Sequence, residues 1–535
     1  MAITRARPTC LWVLLGCALT LPALGGQATA DQSTPPAESE TFPILEYRVL
    51  NNTVLDTRRI ERAIYPHLGP ARTLNDVQAA RSDLEKAYRD AGYSSVFVDI
   101  PEQSVEGGIV RLKVTEGRVG RIQVVGARYF VNRRIVAAVP SLEPGEVPHF
   151  PDVQRDMTKL NQESADLRVA PILKPGPDPG TLDVELKVKD DLPLHATAEV
   201  NDNYTANTTH TRINLNASYS NLFQRNQTLS LQYQTSPENS SNALVLAGTY
   251  LIPFESNGST LAFIALYTNS DVAAVGTLGV IGNGHVYGTR YVLPLPSGDK
   301  FHAALTFGAD LKDFNQSVLV SASNGLQTPI KYMNWSLAYG ANLAIGSNLL
   351  NLDLTTNFGI RGLFNQPGEF ENNRAGASPN YIYWRGDASF ERPLFWGMRV
   401  ALRAAGQYTT EPLINNEQFA IGGVASVRGY LEAEDLGDIG VDGSFELRSP
   451  SAANLFGKHP TDAYIYIFYD AAVANEIFPL PTQVSRFDLQ GWGLGFRIAG
   501  WAGFDAGLDL AVPRLRTMYE TTNDPRIHFH FRYAF

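Results

Sequence analysis

Residues 421–430 read Ile-Gly-Gly-Val-Ala-Ser-Val-Arg-Gly-Tyr, and the chemistry this run can do is ionic anchoring rather than catalysis. Arg428 stands alone between Val427 and the flexible Gly429, with Tyr430 behind it. A guanidinium cannot shed its charge, and its five donors form a fixed fork, so an arginine held away from bulk water needs carboxylate or carbonyl partners. In an ordinary surface loop such a residue is simply solvated. Catalytic patterns are missing around it. None of the nine histidines begins a His-Glu-x-x-His zinc motif, and no Gly-x-Ser-x-Gly elbow occurs. Gly457-Lys458 lacks the upstream glycine of a phosphate-binding loop, because Ala452 holds that place. Lone histidines such as His285 and His302 read as lumen or loop residues. No catalytic residue, metal or cofactor is expected, although membrane-barrel lipases and proteases scatter their catalytic groups and leave no such motif.

The elements that must hold Arg428 follow from the rest of the chain. Its 535 residues exceed one compact domain, and the net charge of −10 argues against a nucleic-acid partner. Arg5 and Arg7 precede the apolar run Leu11–Leu24, which ends near Ala28-Thr29-Ala30, so residues 1–30 read as an export signal. Leu14-Leu15-Gly16-Cys17 offers an alternative lipoprotein reading. Cys10 and Cys17 are the only cysteines, so the chain after the signal has no thiol for a disulfide or a thiolate metal site. No later apolar run reaches about 18 residues, which disfavours transmembrane helices. Residues 31–41 are polar and aperiodic and read as a flexible lead-in.

From about Leu194, within a segment placed at 191–535, the pattern has a period of two. Ile213, Leu215, Ala217 and Tyr219 alternate with Asn214, Asn216 and Ser218, as do Leu229, Leu231 and Tyr233 with Ser230 and Gln232. Apolar-out, polar-in alternation over roughly 10 residues suits a strand between lipid and water. A soluble β-sandwich gives similar runs. The last run discriminates better: Phe529, Phe531, Tyr533 and the terminal Phe535 alternate with His528, His530 and Arg532. Upstream, residues 42–117 and 118–190 read as two copies of one small α/β module. The first opens with a strand, Leu45–Val49, and Thr73 with Asp76 makes a capping-box-like helix start. Val77, Ala80, Leu84, Ala87 and Tyr88 then form one helical face, ending at Gly92. Strands Val96–Val98 and Ile109–Val114 follow, and the second copy carries strands Ile122–Gly126 and Leu182–Val188.

The Val427-Arg428-Gly429-Tyr430 run resembles the signature of two-partner secretion transporters of the TpsB type, the ShlB/FhaC/HecB haemolysin secretion/activation proteins of the outer-membrane assembly-factor superfamily. The two modules resemble POTRA domains. Pro101-Glu102-Gln103 and Val114-Thr115-Glu116-Gly117 look like the secretion-specific (ShlB-type) form of the first. Tyr291-Val292-Leu293-Pro294-Leu295-Pro296 and Asn221-Leu222-Phe223 also resemble this family, and the closing Phe531, Tyr533 and Phe535 resemble the outer-membrane barrel-assembly signal. The resemblance implies a mainly β chain: a 16-stranded transmembrane β-barrel, of the haemolysin activator C-terminal type, preceded by two periplasmic POTRA domains. About 21 residues per strand and connection accommodate that count.

In the superfamily the arginine-bearing loop folds into the lumen and meets an acidic residue in a wall motif F-x-D-x-G, with G-x-G-x-R on the next strand. Phe468-Tyr469-Asp470-Ala471-Ala472 resembles the first, with Ala472 replacing glycine, and Gly493-Leu494-Gly495-Phe496-Arg497 matches the second in full. Some relatives plug the barrel with an N-terminal helix, but residues 31–41 are too few for one. An Arg428–Asp470 pair facing water would be worth about 0–1 kcal/mol, so it is expected to orient the loop rather than stabilise the barrel. Charge reversal at Arg428 is expected to be rescued by Asp470→Arg. The implied function is export, without ATP, of a large exoprotein of haemolysin or filamentous-haemagglutinin/adhesin type, in a Gram-negative outer membrane. Outer-membrane lipid and the barrel-assembly machinery are further implied partners. A barrel-assembly factor of the same superfamily and a passive porin are the alternatives.

Overall fold

The computed structural model describes residues 40–206, 208–240, 243–270, 272–275, 278–315, 317–321, 324–456, 461–481 and 483–535. The export signal, nearly all of the lead-in, and Gly457-Lys458 lie outside the described residues. One compact unit ends at Gly117 and a second runs from Arg118 to Phe535.

The first unit places Ile109–Glu116 at the centre of a three-stranded sheet, parallel to Glu46–Leu50 and antiparallel to Val96–Asp99. Val110, Leu112 and Val114 alternate inward and meet the buried face of helix Leu74–Asp90, formed by Val77, Ala80, Leu84 and Tyr88. The Thr73 N–H donates to Asp76 Oδ2 at 2.8 Å, as a capping box requires. Gly92, at φ +92°, turns the chain out of the helix. The strand expected at Leu45–Val49 runs from Glu46, where its ladder with Ile109 begins, to Leu50, and a separate short strand, Phe42–Ile44, precedes it and pairs with Gly69–Arg72.

The second unit opens with an α/β module of the same order. Strand Thr181–Asp190 is central, parallel to Arg118–Val125 and antiparallel to Leu167–Pro175, and helix Phe150–Glu163 buries Val153, Met157 and Leu160. Its first strand starts four residues before the expected Ile122, since the ladder with Thr181 begins at Arg118.

Sixteen antiparallel strands then close into a barrel. In chain order they are β1 (Leu194–Asn201), β2 (Arg212–Leu222), β3 (Gln227–Thr235), β4 (Leu244–Pro253), β5 (Thr260–Asn269) and β6 (Gly284–Pro294). Next come β7 (Phe301–Phe314), β8 (Ile330–Ile345), β9 (Asn348–Gly359), β10 (Ile382–Pro393) and β11 (Arg399–Thr409). The last five are β12 (Ile439–Arg448), β13 (Asp462–Asn475), β14 (Arg486–Trp501), β15 (Phe504–Pro513) and β16 (Arg526–Ala534). β16 pairs with β1 to shut the ring, so no edge strand is left to meet lipid unpaired.

The two faces of each strand differ as a membrane barrel demands. On β13, Ile465, Ile467 and Tyr469 point outward and are exposed, while Tyr466, Phe468 and Asp470 point inward and are buried. Leu215, Leu231 and Phe307 extend the outer apolar band. No described helix is long and apolar enough to cross a membrane. His285 departs from the expected lumen or loop placement: it lies on the outer face of β6, where it stacks on Tyr287 and tilts against Tyr267. The second module meets the end of the barrel where the turns are short. The Asn226 side chain donates to Glu163 at 2.9 Å, and His195 lies 2.9 Å from Asp166. Short periplasmic turns opposite longer outer loops set the orientation.

Candidate functional site

The connection between β11 and β12, residues 410–438, leaves the wall and folds into the bore. A small hairpin, Phe419–Ile421 with Asp435–Gly437, stiffens it and carries the Val427–Tyr430 tip. Arg428 is buried there. Its Nε donates to Asp470 Oδ2 at 2.7 Å and its Nη2 to Oδ1 at 2.9 Å, a bidentate fork. Nη1 donates to Glu446 Oε1 at 2.7 Å, and Nη2 also to Ser444 at 3.0 Å. The Arg428 backbone N–H reaches the same Asp470 carboxylate at 3.1 Å, and the guanidinium lies 3.6 Å from the Phe468 ring centroid.

The wall is shaped to accept this tip. In the β13–β14 register Tyr466 stands opposite Gly495, Phe468 opposite Gly493, and Asp470 opposite Gly491. A Cβ at Gly495 would strike the Tyr466 ring, one at Gly493 the Phe468 ring, and one at Gly491 the Arg428 carbonyl. The missing Cβ atoms therefore make a trough in β14, with two aromatic rings lying in it and the loop backbone passing over it. The Gly-x-Gly spacing exists to admit that packing. Arg497 closes the row, holding Asp509 at 2.7 Å, and its guanidinium lies 5.1 Å from the Tyr466 ring.

The other tip residues each have a partner. Val427 packs with Phe419, Ile421, Ala472 and Leu489. Ala472, where the motif has glycine, is part of this packing, so its methyl fills space rather than obstructing the tip. Gly429, at φ +98°, takes a left-handed conformation that glycine alone adopts without strain, and it turns its N–H to His528 Nε2 at 3.0 Å. The Tyr430 hydroxyl lies 2.9 Å from the carbonyls of Gln490 and Leu515. Phe531 and Phe535 do not join this site. They are exposed on the outer side, and Tyr533 lies between Phe504, against which it is tilted, and Phe535, which it meets edge to face.

The base of the loop is fastened to the far wall. Glu417, wholly buried, receives Lys312 of β7 at 2.5 Å and the hydroxyls of Tyr332 of β8 and Tyr383 of β10. Asp438 receives a bidentate Arg374 at 2.5 and 2.7 Å and the N–H groups of Leu413 and Ile477. Arg374 belongs to the β9–β10 connection, whose short helix Pro367–Asn373 buries Phe370 against Tyr332 and Tyr381. β8 and β16 lie eight strands apart in the ring of sixteen, so the loop spans the bore.

Two expectations need correction. The Arg428–Asp470 pair does not face water, since both side chains are at most 5 % exposed, so the value of a surface ion pair does not apply. The arginine also has a second carboxylate, Glu446, on β12, so the pair does not act alone. Glu446, Ser444 and Gly491 were not expected from the sequence, and His528 was expected only as a polar position of the last strand. The signal for them was their inward position on strands, which identifies neighbours only when the register between strands is known.

Residues 180–498 match the family described as haemolysin secretion/activation protein ShlB/FhaC/HecB, and residues 42–117 match the POTRA domain, ShlB-type. The chain belongs to this secretion family. The outer membrane transporter CdiB of Dickeya dadantii is 23% identical over 427 residues, covering 75% of this chain and 71% of its own. The heme/hemopexin transporter protein HuxB of Haemophilus influenzae is 21% identical over 73% of this chain and 69% of its own. CdiB from Escherichia coli has the same fold, with a TM-score of 0.56 at 18% identity, over 95% of this chain and 93% of that one. BamA from Haemophilus ducreyi lacking POTRA domains 1–3 reaches the same TM-score at 14% identity, over 92% of this chain and all of that one, so fold alone does not separate export from barrel assembly. Family membership places the chain in the outer membrane as a two-partner secretion transporter, with its POTRA region in the periplasm and a secreted exoprotein as its partner.

Proposed function

We propose that this transporter takes one large, unfolded exoprotein of haemolysin or adhesin type from the periplasm and passes it through the barrel without ATP. The observation that carries this reading is the Val427–Tyr430 tip anchored on Asp470 inside a closed bore. A loop that spans the bore holds the resting barrel shut, and it must shift for a chain to pass. Its fastenings are ion pairs and hydrogen bonds rather than covalent links, so they can be exchanged for contacts with an incoming chain.

The two α/β modules supply the receiving surface, the second acting as a further POTRA domain. Glu46–Leu50 and Val96–Asp99 are the outer strands of the first sheet, and an extended segment can add to such a strand by main-chain hydrogen bonding, with side-chain pockets setting specificity. Folding of the cargo outside the cell supplies the directional bias. Phe531, Tyr533 and Phe535 serve the chain's own insertion by the barrel-assembly machinery, and the outer apolar band meets outer-membrane lipid.

The test is complementation of a deletion strain. Arg428→Ala is expected to insert as a folded, heat-modifiable barrel and to release little or no exoprotein into the medium. Secretion at the wild-type level by Arg428→Ala sinks the assigned role of the anchor.

A further inference from the structure

Arg428 accounts for only one side of the tip. On the other side the tip meets the place where the barrel closes. The β16–β1 ladder pairs five residues, from Ala534 with Thr197 to His530 with Asn201. Just beyond Asn201 the Asp202 N–H still reaches the Phe529 carbonyl at 3.4 Å, and the Asp202 side chain reinforces the seam. Asp202 accepts the Phe529 N–H through Oδ1 at 2.7 Å and lies 2.9 Å from His528 Nδ1 through Oδ2. The opposite ring nitrogen of His528, Nε2, is 3.0 Å from the Gly429 N–H. Both His528 and Asp202 are buried.

The donor fixes the tautomer. An N–H pointing at Nε2 requires a lone pair there, so the ring proton is on Nδ1, directed at Asp202. The imidazole thus links a carboxylate at the end of β1, its own strand β16, and the loop tip. The Glu432 N–H, which donates to the Tyr204 carbonyl at 3.0 Å, adds a second tie between the loop and the chain just after β1.

We propose that His528 is a positioning residue: oriented by Asp202, it fastens the loop tip at Gly429 to the closing seam of the barrel. The inference rests on the reading of the loop as the resting closure, but it concerns an anchor that Arg428 does not supply. Asp470 and Glu446 hold the tip to β13 and β12, whereas His528 holds it to the seam.

The chain after the export signal contains no cysteine, so one introduced thiol reports on the tip. Ser426→Cys places it at a buried position two residues before Arg428. The readout is its rate of modification by a water-soluble maleimide in purified, folded protein with no export partner present. Export itself is scored separately, so failure of the anchor and failure of the transport reading are told apart. His528→Phe keeps the ring and removes both nitrogens. It is expected to raise the rate about tenfold, the weight of one buried neutral hydrogen bond. His528→Asn, which retains only the donor to Asp202, is expected to do the same. His528→Gln, whose amide oxygen reaches the Nε2 position, is expected to stay near the wild-type rate.

Arg428→Ala provides the positive control for a released tip. If that control reacts fast while His528→Phe stays at the wild-type rate, His528 is no anchor and the proposal is overturned. An equal rise in all three His528 variants would also overturn it, because His528→Gln keeps an acceptor at the Nε2 position and that acceptor would then not be what holds the tip. Heat-modifiability on gels confirms that each variant is folded before its rate is read.

Discussion

Arg428 is expensive to leave unpaired and expensive to remove. Four of its side-chain N–H groups have partners, and both carboxylates it neutralises are screened from water. Truncating one partner of a buried pair typically costs about 3–5 kcal/mol, because the charge left behind has lost its hydration. Arg428→Ala should therefore release the tip at roughly that cost while the sixteen strand ladders keep the barrel folded. A heat-modifiable band together with loss of export is the expected result. Arg428→Lys should fail similarly, since one ammonium cannot fork between Asp470 and Glu446. The simple swap of Arg428→Asp with Asp470→Arg should not restore export, because the new aspartate would face Glu446. Adding Glu446→Gln to the swap should recover part of it, measured as secreted cargo. Gly491→Ala supplies an independent probe: its methyl would meet the Arg428 carbonyl, so export should fall with no ion pair altered. The sequence pointed to Arg428 and Asp470 because their motif is local. Glu446 and Gly491 were invisible because their roles arise from a cross-strand register that no spacing in the chain encodes.

Among elements, the strands were the easiest to read. A period of two with apolar residues on one side is imposed by lipid outside and polar groups within, and Leu229, Leu231 and Tyr233 show it directly. The loop was harder. Its Glu417 and Asp438 look like ordinary polar residues, and only the fold brings Lys312 and Arg374 to them. The Arg374–Asp438 contact ties the β9–β10 connection to the loop, so Arg374→Ala should loosen that outer cover and raise ion conductance in planar bilayers. Unchanged conductance would remove the cover from the account of how the bore is shut. The helix Leu74–Asp90 permits a prediction about pH. Hydrogen bonds from the Thr73 backbone and hydroxyl, with Arg72 nearby, hold the Asp76 carboxyl below its ordinary value. A carboxylate whose folded value is lowered contributes stability above its unfolded value, and that contribution is lost as pH falls through the folded one. Amide protection in the first turn of this helix should therefore drop at acid pH below the usual carboxylate range. Asp76→Asn should remove that acid limb, as read by hydrogen exchange.

For the whole molecule, the decisive arrangement is a closed barrel with its own loop fastened across the bore and an α/β module at the short-turn end of the barrel. On the proposed function, the loop is the part that moves, and it lies where a chain in transit would meet it. Membership of the secretion family sets the general role, while the dedicated cargo is the central claim to be tested. The most direct measurement compares the secreted and outer-membrane proteomes of the native bacterium with and without this gene. Loss of one or two large exoproteins from the medium, with the other outer-membrane barrels unchanged, is the expected result. Broad depletion of outer-membrane barrels would contradict it and identify the chain as an assembly factor.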